Sequence, residues 1–170
     1  MINELEKRIL AVFDEYIFGF MRSDIQAAIK GNAAQLAALG LVSYTEVLGG
    51  LCTGKLGLIG HSGSNFKAFI PYLGKDYEDL QTRGVNVYHN VRCALVHSYF
   101  IKGESTIDMH ARAPCGIISG VGGPTYFCVS VYSEHLFAGA KRFRDEILEG
   151  KDPSLAQNFE RAMKQISVWP

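Results

Sequence analysis

The chain has 170 residues, 48% of them hydrophobic and 20% charged, with 17 Lys plus Arg against 17 Asp plus Glu. That length suits one domain with a sizeable core, and residues 1–170 read as a single domain. The charge balance holds in both halves, which excludes a general nucleic-acid coat, because counterion-release binding needs a dense basic surface; only a local basic site is left. Cys52, Cys93, Cys115 and Cys128 are widely spaced and make no Cys-x-x-Cys pair. With no leader segment at the start, reduced thiols in the cytoplasm are expected.

Residues 3 to about 29 read as helical. Asn3 is placed to cap the first turn with Glu6 as the reciprocal partner, and Leu5, Ile9, Val12, Phe13, Tyr16, Ile17 and Phe20 form a wide apolar stripe. Gly31-Asn32 breaks the pattern. Ala33 to Leu48 reads as a helix of small and medium side chains, suited to the centre of a bundle or to a dimer seam. Gly49 to Asn65 is glycine-rich and reads as a flexible connector. Its Gly49-Gly-Leu-Cys-Thr-Gly54-Lys55 matches only half of a phosphate-binding loop. Leu56 stands where the magnesium-holding Ser or Thr would be, and a helix rather than a strand precedes it. Gly60-His61-Ser62-Gly63-Ser64 lacks the last glycine and the strand of a nucleophile elbow, so His61 reads as a loop histidine. Asn65–Leu73 and Lys75–Arg83 follow as two short helices around Gly74, the second with a solvated acidic face.

Val87 to Phe100, VYHNVRCALVHSYF, is the most informative stretch. Val87, Val91, Ala94, Leu95 and Ser98 take the spacing of one apolar helical face. The other sides carry His89, Asn90, Arg92, Cys93 and His97. After Phe100 the period changes to two. Ile107, Met109 and Ala111 alternate with Thr106, Asp108 and His110, and strands are also expected at Cys115–Ser119 and Thr125–Val131 around a Gly120–Pro124 turn. Ala113–Ser133 is long enough to cross a bilayer, but its prolines, glycines and alternation mark it as strands, so no membrane association is expected. The fold class is therefore mainly α, a helical bundle with a small antiparallel β hairpin or meander inserted at about 104–131. Ser133 is placed to cap a helix to about Glu149. Asp152-Pro153 opens a last helix to about Ile166, with Pro153 at a permitted first-turn position.

Arg92-Cys-Ala-Leu-Val-His97, late in a helical chain and followed by a strand-like segment, resembles the Arg-x-x-x-x-His signature of HEPN-domain proteins. The motif covers six residues, and the layout around it extends the likeness loosely over most of the chain. The resemblance implies a helical bundle that forms a homodimer, with Arg92 and His97 at or near the subunit boundary. It also implies metal-independent cleavage of RNA in toxin–antitoxin or defence systems, with an antitoxin protein as a further partner. Active members usually carry a polar residue, often Asn, Asp or His, directly after the arginine; here that residue is Cys93.

The residue chemistry is adequate for that reaction. A histidine titrating near neutrality suits proton transfer from a 2′-hydroxyl. A permanently charged guanidinium can fork two hydrogen bonds onto phosphate oxygens. Geometry is less favourable: five residues on an ideal helix mean about 140° of rotation and about 7.5 Å of rise. Tyr88, His89, Asn90, Cys93, Tyr99 and Lys102 are candidates for supporting or substrate-binding roles. No cofactor is expected and no metal site is assigned. Two alternatives stand beside RNA chemistry. One is a non-catalytic dimeric scaffold or protein-interaction module. The other is zinc held by His89, Cys93 and His97, which recur every fourth residue along one helix edge.

Overall fold

The computed structural model describes residues 3–98, 105–110, 112–120 and 123–166. Helix α1, Glu4–Ala11, opens with the expected capping box: the Asn3 side chain accepts from the Glu6 amide and the Glu6 carboxylate accepts from the Asn3 amide, both at 2.8 Å. The helix then widens. Val12–Met21 winds with π-type i→i+5 bonds before α2, Arg22–Lys30, restores the ordinary turn. Each wide turn holds an extra residue, so the apolar stripe drifts off phase. Phe13 and Ile17 are buried, Phe18 packs against the core, and Phe20, expected in the stripe, is 59% exposed.

Helix α3, Ala34–Thr53, is the central element and runs straight through the glycines expected to start a loop. Gly49 and Gly50 are buried because neighbouring chain lies against them. A Cβ on Gly49 would sit 1.7 Å from the Asn65 carbonyl oxygen, and one on Gly50 would sit 2.9 Å from the Leu56 Cα. The helix ends at Gly54, whose φ of 70° is the left-handed cap that favours glycine. The half-match to a phosphate loop is thus a helix C-terminus. By length and composition α3 is able to cross a bilayer, yet more than half of it is buried inside the protein.

Helix α4, Ser62–Leu73, packs closely along α3. Asn65, 3% exposed, fixes the intervening turn by accepting from Thr53 Oγ1 at 2.8 Å and donating to the Lys55 carbonyl at 3.0 Å. Helix α5, Lys75–Thr82, follows Gly74 as expected. A second π-type stretch, Tyr88–Cys93, continues into the short α6, Ala94–Ser98.

The β insertion has three strands, β1 (Thr106–Asp108), β2 (Ile117–Ser119) and β3 (Thr125–Cys128), in the order β1-β3-β2. The expected all-antiparallel meander is corrected to a mixed sheet: β2 runs antiparallel to β3, but β1 runs parallel to it. Strand β1 stops at Asp108, whose side chain accepts from the His110 amide, so the expected alternation ends before Met109; Ala111 lies outside the described residues. Strand β3 stops three residues before Val131, because α7 begins at Val129 rather than behind a Ser133 cap. Val129, Tyr132 and Leu136 all turn inward at helical spacing, and the Ser130 amide finds the Met109 carbonyl at 3.3 Å. Tertiary burial outweighs the local cap signal. Helix α7, Val129–Glu149, carries Phe143 into an aromatic core with Phe13 and Phe69. Asp152 caps α8, Pro153–Gln165, from just before Pro153, as expected.

Candidate functional site

The short helix holding Arg92 and His97 starts at Asn86, whose side chain accepts from the His89 amide at 3.1 Å while its carbonyl accepts from the Asn90 amide. Val87, Val91, Ala94 and Leu95 are buried, so the predicted apolar face is the one turned to the core. Tyr88 leans on Phe66 with ring centroids 5.7 Å apart, and Gly63 leaves room for it: a Cβ there would touch the Tyr88 ring at 3.4 Å. Burial pushes the Tyr88 phenol above its ordinary range, with the Arg92 charge opposing.

Arg92 reaches back to α3. Its Nε donates to Glu46 Oε2 at 2.9 Å, with side chains 22% and 18% exposed, and its Cζ lies 5.7 Å from the Tyr88 ring centroid. Glu46 and Tyr88 therefore fix the guanidinium on one edge and one face. Among the described residues no further hydrogen bond engages its terminal nitrogens. A partly buried pair like this trades Coulomb attraction against lost hydration, so it orients the group more than it stabilises the fold.

His97 lies in α6 with its side chain exposed, next to Val96 at 45% exposure. No hydrogen bond or ion pair joins it to Arg92 among the described residues. The ideal-helix estimate thus holds in its main sense: one side chain engages α3 and the other faces solvent. Of the supporting candidates, His89 is exposed, Asn90 and Cys93 are half-buried, and Tyr99 and Lys102 lie outside the described residues. His89, Cys93 and His97 do not form the zinc set their spacing suggested. Among the described residues no three His, Cys, Asp or Glu side chains come together as a metal site.

Glu46 is the residue that sequence reasoning missed. It is the sole charged side chain in the 20 residues of α3, and a lone charge in so apolar a helix signals a buried partner. His61 stands just before α4, half-buried, with its carbonyl accepting from the Ser64 hydroxyl at 2.8 Å. That contact makes it part of a helix start. No protein-family model, curated protein or solved structure matches the chain.

Proposed function

We propose that the chain is an RNA-directed, HEPN-like protein of the cytoplasm that acts as a homodimer, with Arg92 holding a phosphate and His97 moving protons without a metal. The observation that carries the reading is the Glu46–Arg92 pair. Glu46 fixes the Nε edge, and the remaining nitrogens suit two phosphate oxygens. His97, one turn further and open to solvent, suits a mobile base. The neutral imidazole takes the proton from O2′ as that oxygen attacks phosphorus. Arg92 offsets the added charge of the phosphorane. The P–O5′ bond then breaks and O5′ takes a proton from water, giving a 2′,3′-cyclic phosphate and a 5′-hydroxyl, while the His97 imidazolium returns its proton to solvent. A second copy would bring another Arg92 and His97 to the same phosphate. Leu36, 63% exposed on the apolar α3, and Val96 offer side chains for such a contact.

A second reading is favoured by two facts: Glu46 already balances the Arg92 charge, and Cys93 follows the arginine. It is a dimeric helical scaffold or interaction module, including one engaged by an antitoxin protein. The test compares wild type, Arg92→Ala and His97→Ala on mixed RNA with chelator present, beside a 2′-deoxy substrate. The RNA reading expects cleavage of RNA alone, reduced about 100-fold or more in His97→Ala. Equal cleavage by all three proteins assigns the activity to a contaminant and leaves the scaffold.

A further inference from the structure

Away from Arg92, the start of α2 and the middle of α7 flank an open cleft of about 540 Å³ whose lining includes Phe18, Arg22, Gln26, Ser133, Phe137 and Lys141. Three cationic side chains meet there, and two are already matched. Lys141 Nζ lies 2.7 Å from Asp145 Oδ2, while Arg144 lies 2.9 Å from Asp145 and 3.6 Å from Asp14. Arg22 differs from both. Its Cζ lies 5.1 Å from the Phe18 ring centroid and 4.8 Å from that of Phe137, and among the described residues no carboxylate lies within ion-pair distance of it. Aromatic faces hold a guanidinium by its plane and leave its N–H edge to be satisfied by water or a ligand. Phe137 is only 6% exposed, so the holding ring is itself fixed.

We propose that this cleft binds a small organic oxyanion, a carboxylate or phosphate on an apolar body, with Arg22 as its anchor. The N–H edge of Arg22 takes two oxygens of the head group. Phe18, Phe137 and the exposed Ala138 supply the apolar wall, while Gln26 and Ser133 supply neutral hydrogen-bonding groups. Only Phe18, Phe137 and Ala138 of the lining are apolar, so the head group, not the apolar body, carries most of the recognition. Glu134 is the one carboxylate in the lining and opposes any anion near it, so the head group seats on the Arg22 side. None of the Arg92 site residues lines this cleft, so the proposal is independent of the RNA reading.

The test titrates phenyl phosphate and benzoate, separately, into the full chain by calorimetry, with neutral benzyl alcohol as control. Wild type, Arg22→Gln and Ala138→Phe are compared after thermal melts establish that each is folded. Expected is saturable binding of at least one aromatic anion and none of the alcohol. Arg22→Gln should weaken it about tenfold or more, and Ala138→Phe, a filling substitution at an exposed position, should abolish it. The arm that binds identifies the head group. Absence of saturable binding in wild type, or undiminished binding in Arg22→Gln, overturns the proposal. If Arg22→Gln does not fold, Ala138→Phe decides, and unchanged affinity in that variant overturns the proposal equally.

Discussion

Replacing Gly49 by Ala inverts an ordinary expectation about helices. In an isolated helix the change is worth about 1 kcal/mol of added stability, because alanine has less backbone freedom to lose. In α3 the new methyl would stand 1.7 Å from the Asn65 carbonyl oxygen and 2.5 Å from its carbon. Both atoms are backbone, so α3 and α4 must separate by more than an ångström. Overpacking of this kind costs roughly 1–3 kcal/mol. The separation also stretches the Asn65 bonds to Thr53 and Lys55, each worth about 1 kcal/mol. The net expectation is a loss of about 3 kcal/mol. Gly40→Ala is the matched control in the same helix. Its methyl meets side-chain atoms alone, the Ile25 Cδ1 tip at 2.8 Å and Tyr44 Cε2 at 4.0 Å, and a side-chain tip yields more readily than backbone, so its stability should stay within about 1 kcal/mol of wild type. Urea unfolding followed by far-ultraviolet circular dichroism reads both, provided the slopes are unchanged. A Gly49→Ala midpoint at or above wild type refutes the close-approach reading.

Two further outcomes are expected. The Tyr132 hydroxyl lies 2.8 Å from Thr45 Oγ1, which also donates to the Leu41 carbonyl, so Tyr132 is the donor between the two hydroxyls. Thr45→Val strands a fully buried phenol and should cost about 2 kcal/mol, against about 1 kcal/mol for Tyr132→Phe, which leaves Thr45 bonded to Leu41; denaturant midpoints in the reverse order would refute the assignment. Burial pushes the Cys52, Cys115 and Cys128 thiols above their ordinary range, whereas Cys93 is half-buried. Cys93 should therefore be alkylated first under native conditions at neutral pH, and mass mapping that shows Cys52 reacting ahead of it would contradict the packing.

The parts that were legible from sequence are those governed by local chemistry. The Asn3–Glu6 box, the Asp152–Pro153 start and the apolar face of Val87 to Leu95 each follow from a few neighbouring residues. Two of the misreadings share a cause, contact with distant chain. Gly49-Gly50 resembles a loop until Asn65 and Leu56 are set against it, and Val129 resembles a strand residue until Tyr132 and Leu136 bury beside it. The same holds at the candidate site. Arg92 and His97 were visible as a spaced pair, but Glu46 lies 46 positions from Arg92, beyond the reach of any spacing rule.

The wide-turned stretch from Val12 to Met21 has a bearing on how distant kin of this chain would align. An ordinary helix tolerates no gap, since losing one residue swings everything beyond it by about 100°. Here a surplus residue is already absorbed within the coil, as the Arg22 amide bonding to the Ile17 carbonyl records. Deleting a single position there would let one wide turn tighten to the normal pitch, which absorbs most of the swing that the same deletion causes in an ordinary helix. A one-residue gap inside this helix is therefore what homologous sequences should show, and an aligner that penalises it would push true relatives out of register.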